Sequence, residues 1–282
     1  MGHTRIGQRR RIAVTIAMPS GLRALSPIEP LAPGTVLGCI GRFSARLASG
    51  EREIEAAQRL RARAFFGCAE STDTDRFDLF CDHLLVLEGE RIVGTYRLIR
   101  EEAAKAAGGF YSAGEFHVEP LIARNSDLRF LELGRSCVDP DFRGRGALES
   151  MWQAIWAYVR HYRIDAMMGC ASFPGTVPAA HAEALSLLAH RFRAHGRWGV
   201  EALPALRNEM DLMPAEAVLD NEKAIVARLP PLLRGYLRLG AQVGEGCVVD
   251  EDVGTTDVFV VLPVGAIGQR YIDYYGPDRR AA

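Results

Sequence analysis

The chain has no run of about 18 apolar residues, the length a bilayer-spanning helix needs, so its sequence excludes a membrane-crossing helix. It also has little net charge: 34 Lys and Arg against 35 Asp and Glu leave a formal charge of −1, which excludes nucleic acid as a main partner. Local patches must do any electrostatic work. Its six cysteines, at 39, 68, 81, 137, 170 and 247, contain no Cys-x-x-Cys pair. That spacing argues against zinc or a redox motif and for a reducing compartment with buried, apolar thiols. The histidines, among them His117, His161, His181, His190 and His195, show no His-x-x-x-His or Glu-linked spacing, so no metal is expected. Internal repeats and low-complexity tracts are lacking too.

What is present is enough for one substantial core, since 282 residues can bury one enlarged domain. Arg9-Arg10-Arg11 ahead of Ile12 to Met18 loosely mimics a secretory leader. The apolar part is short, however, and no small-residue cleavage site follows cleanly, so a cytoplasmic location is expected. With Pro19, Pro27, Pro30 and Pro33, residues 1–40 read as a flexible N-terminal arm, and residues 41–282 as a single domain.

Residues 51–66 are strong helix formers at helical spacing, and Gly67 is placed to end that helix. Residues 82–88 and 91–99 read as a hairpin across Gly89. Residues 103–127 are mixed, with a short strand or helix expected near Phe110 to Val118. Residues 128–138 make the next strand. After it, Leu148, Met151, Trp152, Ile155, Trp156 and Val159 mark one face of a helix, and Ile164 to Cys170 a buried strand. One helix between two strands makes a β-α-β unit and parallel neighbours. A helix over 179–194, an amphipathic segment from Pro231 to Leu239, and strands at 246–249 and 256–262 complete the expected elements.

The stretch from Glu132 to Leu148 carries the chemistry. Gly144 and Gly146 remove side chains that would keep a ligand off the backbone, the helix start offers unpaired N–H groups, and Arg143 and Arg145 add charge: a phosphate cradle. Upstream stand Glu132 and Arg135, ionisable groups beside that cradle. Glu132 reads equally as a general base or as the ion-pair partner of Arg135 or of a neighbouring strand's arginine, and Arg135 as a scaffold ion pair or a substrate clamp. Gly134 within a strand points to a bulge that frees a backbone N–H for an oxyanion. Ser136 and Cys137 have no neighbouring histidine to activate them. His190 to Arg197 forms a basic cluster, either a docking patch for an acidic partner or anionic lipid, or a solvated helix end.

The Val138-x-Pro140-x-x-Arg143-Gly144-x-Gly146 turn between strand and helix resembles the signature of the GNAT acyltransferase fold. Joined to Glu132-Leu-Gly-Arg-Ser-Cys-Val138 and to the late Gly254 to Pro263 strand, it is similar to the bacterial ornithine N-acyltransferases that make lyso-ornithine lipid. The likeness covers roughly residues 50–276. It implies the fold class α/β (α+β), a mixed, mostly antiparallel sheet with a central β-α-β unit, flanked by helices, with a C-terminal extension. It also implies transfer of a 3-hydroxyacyl chain from acyl carrier protein to the α-amino group of L-ornithine, without a cofactor beyond the donor thioester. Glu132, Arg135 and Gly134 would then be catalytic. Val138, Arg143, Gly144, Arg145, Gly146 and Ala147 would hold the donor's phosphate, and an anionic inner-membrane surface is a further candidate partner. A more distant similarity to acyl-homoserine-lactone synthases rests on Glu132 and Arg135, with Gly134 where serine is usual. Leu148 stands where acetyl-CoA enzymes of this fold usually carry Gly or Ala, a departure that suits a carrier-protein donor.

Overall fold

The computed structural model describes residues 28–68, 70–142, 145–208 and 211–275. One mixed sheet organises the chain from Leu31 onward. Its N-terminal strands, β1 (Val36–Ile40), β2 (Phe43–Leu47), β3 (Asp82–Glu88), β4 (Arg91–Arg100) and β5 (Phe130–Val138), lie side by side in sequence order. Beyond β5 come β6 (Ala166–Pro174) and then the last strand. With β7 (Arg207–Asn208), β8 (Gln242–Val243), β9 (Cys247–Asp250) and β10 (Thr255–Pro263), the order continues β6-β10-β9-β7, and β8 pairs with β10. Every ladder between these strands is antiparallel except β5–β6.

That parallel pair carries the expected β-α-β crossover. Helix α1 (Glu51–Phe66) ends, as its sequence dictates, on Gly67 in the left-handed region at φ 66°. Short helices α2 (Glu101–Ala106) and α3 (Val118–Arg124) fill the mixed stretch before β5, and α4 (Arg145–Tyr162) is the crossover. Met151, Trp152, Ile155, Tyr158 and Val159 bury its apolar face. Later helices are α5 (Ala182–Arg191), α6 (Ala215–Leu219), α7 (Glu222–Arg228), α8 (Pro231–Leu239) and α9 (Gln269–Tyr275). Among the described residues no helix is long and apolar enough to cross a membrane.

The sheet's other side has its own core, where Ile99, Phe130, Met168, Phe259 and Val261 meet Leu121 of α3 and Phe116 and Val200 from irregular segments. Three expectations shift. Of the 1–40 segment read as an arm, residues 1–27 fall outside the described residues, while Val36–Ile40 is the half-exposed edge strand β1. An exposed five-residue edge lacks the alternation that would have announced it. The Phe110 to Val118 region forms a 3₁₀ turn at Tyr111–Gly114 and the start of α3, with one isolated bridge from Phe116 to Ala202. The helix read over 179–194 is shorter, Ala182–Arg191.

One irregularity opens the site. Strands β5 and β6 share only the pairs Phe130–Ala166, Leu131–Met167 and Glu132–Met168. Past Glu132, β5 stays with β4 and β6 stays with β10, so the two diverge. At the divergence Gly169 has φ 156°, and a Cβ there would lie 2.3 Å from the Leu133 carbonyl oxygen.

Candidate active site

A cavity of about 230 Å³ occupies the divergence of β5 and β6. Glu132, Gly134, Arg135 and Ser136 all line it, which a regular pleat would forbid. The reason is a bulge. Thr95 pairs with Cys137 but Arg97 pairs with Gly134, so two β5 residues, Arg135 and Ser136, oppose Tyr96 alone. Arg135 takes the left-handed conformation at φ 50°. The bulge therefore falls one residue after the glycine that announced it. It takes peptide groups out of the β4–β5 ladder in a stretch that lines the cavity. A side chain at Gly134 would meet open space, so this glycine leaves room for a ligand beside the backbone.

Glu132 is buried, and its carboxylate is held by the 3₁₀ turn, accepting from the Tyr111 N–H at 2.7 Å, the Ser112 N–H at 2.8 Å and the Ser112 hydroxyl. The ion-pair reading of Glu132 with Arg135 is not the arrangement found. Burial pushes the Glu132 carboxyl above its usual range, opposed by those hydrogen bonds and by Arg97. No pattern in residues 110–114 announces this role, because only the fold brings the turn to Glu132.

Arg135 lies 3.7 Å from both Asp73 and Asp75, beyond hydrogen-bond length, with its guanidinium over the Tyr111 ring. Its Nε is buried without a hydrogen-bond partner. Behind it is an ion network that sequence reasoning missed. Arg61 is bidentate to Asp78, both bonds 2.8 Å, and Arg97 donates to Asp75 at 2.6 Å and Asp78 at 3.2 Å. Arg61 and Arg97 hold the Asp78 carboxyl well below the usual range against its burial. The available signal was the aspartate repeat at 73, 75 and 78 between a helix and a strand.

The facing wall is acidic. Asp250 and Asp257 line the cavity, and ligand atoms of Glu115, Cys170 and Asp257 lie within 4.8 Å of one another. The Cys170 thiol donates to Glu115 at 3.5 Å. Burial, with Asp257 adding repulsion, pushes Glu115 up to about 7.

The expected phosphate cradle is described only in part. Arg143 and Gly144 fall outside the described residues, as does the Arg145 side chain. Val138 ends β5, and Gly146 and Ala147 sit in the first turn of α4, none of them lining the cavity. The turn's entry is anchored by buried Asp139, paired with Arg63 and Arg91, each at 3.0 Å. Gly146 has a packing role: a Cβ there would come within 2.9 Å of the Phe43 ring. Gly146→Ala is expected to cost roughly 1–3 kcal/mol by overpacking, read as a lowered urea midpoint. A raised KM for the donor at unchanged stability would instead assign Gly146 to ligand approach alone.

The arginines of the basic cluster that begins in the last turn of α5 form ion pairs: Arg191 with Glu222, Arg193 with Glu245 and Arg197 with Asp127. That favours the solvated-surface reading over a docking patch. The amphipathic segment Pro231–Leu239 is α8, and Pro230, Leu232 and Leu233 form part of the cavity wall.

Residues 59–153 match the family model described as an acetyltransferase (GNAT) domain. The L-ornithine N(alpha)-acyltransferase of Brucella abortus is 51% identical over 260 residues, spanning 86% of this chain and 92% of the relative. That of Agrobacterium fabrum is 52% identical over 86% of this chain and 88% of its own length. Among solved structures, FeeM, an N-acyl amino acid synthase from uncultured soil microbes, superposes with a TM-score of 0.48 at 14% identity, covering 79% of this chain and 92% of its own.

Proposed function

We propose, for a chain that belongs to the L-ornithine N(alpha)-acyltransferase family of the GNAT fold, that it transfers a 3-hydroxyacyl group from acyl carrier protein to the α-amino group of L-ornithine, giving lyso-ornithine lipid. The observation that supports this most is the joining, in one cavity, of a buried carboxylate, a guanidinium with an unpartnered Nε and a strand bulge.

In this reading the α-amine, deprotonated by Glu132 directly or through a water, attacks the thioester carbonyl carbon. Backbone N–H groups at Gly134 or its bulged neighbours receive the oxyanion. Collapse forms the amide and breaks the C–S bond, and the pantetheine sulfur leaves with a proton as the free thiol. Arg135 takes the amino-acid carboxylate, a planar acceptor matched to its fork. Arg143, Gly144, Arg145 and Gly146, flanked by Val138 and Ala147, grip the carrier's phosphodiester. No cofactor is needed, since the thioester supplies the driving force. The product is an amphiphile, so release at the cytoplasmic face of the inner membrane, with the enzyme peripheral to it, follows naturally.

The test is product analysis from purified components. Incubation with 3-hydroxyacyl carrier protein and L-ornithine should yield free carrier and N-acylornithine in equal amounts, identified by mass. Faster use of acetyl-CoA than of the long-chain carrier would overturn the donor assignment. Preference for another amino acid or for a homoserine-lactone precursor would overturn the acceptor.

A further inference from the structure

We infer that Asp257, with Glu115 and Asp250 beside it, is the seat for the side-chain ammonium of the acceptor and so selects a diamino acid over a neutral one; the inference rests on the acceptor proposed above.

Asp257 lies on β10 opposite Ser172 of β6 and is 5% exposed, on the cavity wall that faces Arg135. Its Oδ1 is buried without a hydrogen-bond partner, and so is Oγ1 of Thr255, two residues earlier on the same strand. A buried carboxylate oxygen left unpaired is costly unless a ligand completes it. The completing ligand should be cationic. The wall carries Asp250 and Asp257, Glu115 lies within 4.8 Å of Asp257, and Arg135 lies 3.7 Å from Asp73 and Asp75.

The elevated carboxyls agree with that polarity. Burial raises both Glu115 and Asp257, and Asp250 pushes each further, opposed at Asp257 by the nearby Thr255 and Ser172 hydroxyls and by Arg135. The cavity is thus polarised: guanidinium on one side, carboxylates on the other. An amino acid with a carboxylate and a cationic side chain can satisfy both at once. A neutral amino acid would leave the Asp257 oxygen unpaired, and that penalty, rather than added attraction, is what discriminates.

The experiment compares L-ornithine with L-norvaline, the same five-carbon skeleton without the δ-amine, using one carrier-protein donor. The unmodified enzyme should favour ornithine by about 10²-fold or more in kcat/KM. In Asp257→Asn the ratio should fall toward about 1, chiefly through a raised KM for ornithine. Glu115→Gln should lower the ratio in the same direction. Should Asp257→Asn fail to fold, the unmodified enzyme still decides: ornithine alone should raise its melting temperature and norvaline should not.

An unchanged ratio in both variants, or equal thermal protection by the two amino acids, overturns the inference. So does one tightly bound divalent ion per chain, with chelator-sensitive activity toward both acceptors, which would make the Glu115, Cys170 and Asp257 cluster a metal site. Failure of the unmodified enzyme to acylate ornithine at all, with another amine used instead, rejects the acceptor proposal and is a separate outcome.

Discussion

Glu132→Gln is expected to lower kcat by about 10²–10⁴-fold, the range that a positioned general base contributes. Glutamine keeps the shape and one acceptor oxygen but cannot take a proton. Because the carboxylate also receives the Tyr111 and Ser112 N–H groups, the amide places a donor against a donor. A parallel stability loss of about 1–3 kcal/mol is expected, so rates should be compared well below the melting transition. The pH profile separates catalysis from scaffolding. Burial raises the Glu132 carboxyl, and a protonated acid cannot serve as base, so kcat at saturating ornithine, where the acceptor-binding titration of Glu115 no longer counts, should rise with pH as Glu132 ionises. The acid limb should vanish in the variant. A variant that retains both turnover and acid limb would remove Glu132 from the proton path.

Gly169→Ala is expected to be the most damaging glycine-to-alanine change among the described residues. The new Cβ would meet the Leu133 carbonyl oxygen at 2.3 Å, and φ 156° is a conformation that L side chains rarely adopt. Neither partner is a flexible side-chain tip; both belong to the backbone where β5 and β6 part. Strain and overpacking together predict a loss of about 3–5 kcal/mol, or roughly 6–20 °C in melting temperature at this chain length. Activity should fall further than stability explains, because the substitution moves the strand that carries Glu132. A melting temperature within about 2 °C of the unmodified protein, a shift worth under ~1 kcal/mol, would show that the divergence tolerates a side chain.

Periodicity and glycines carried much of the fold. The α4 stripe from Leu148 to Val159, the stop at Gly67 and the hairpin across Gly89 were legible because each reports burial or backbone conformation over a few residues. Strand β1 was hidden because its exposed edge lacks that pattern. The site divides along the same line. Glu132, Gly134 and Arg135 stood out because one strand holds all three, whereas their partners come from elsewhere: Ser112 from a 3₁₀ turn, Asp73 and Asp75 from the segment after α1. Glu115, Cys170 and Asp257 are far apart in sequence and converge only because β6 pairs with β10 beneath the turn. Gly146 shows the reverse limit. Its type and place were legible, while its contact with Phe43 of β2 was not.

The brevity of the parallel ladder bears on how the site keeps its geometry. Strands β1 to β5 and the group β6, β10, β9 and β7 are in effect two leaves of a fork, stitched along the strands by three rungs. Glu132 belongs to the last of those rungs, opposite Met168, at the crotch. The cavity between the leaves is therefore walled by two groups of strands that are tied together along the strands only at its closed end. The Glu132 carboxylate thus stands where both leaves are joined, and each of the other cavity-lining residues of β5 and β6 belongs to one leaf alone.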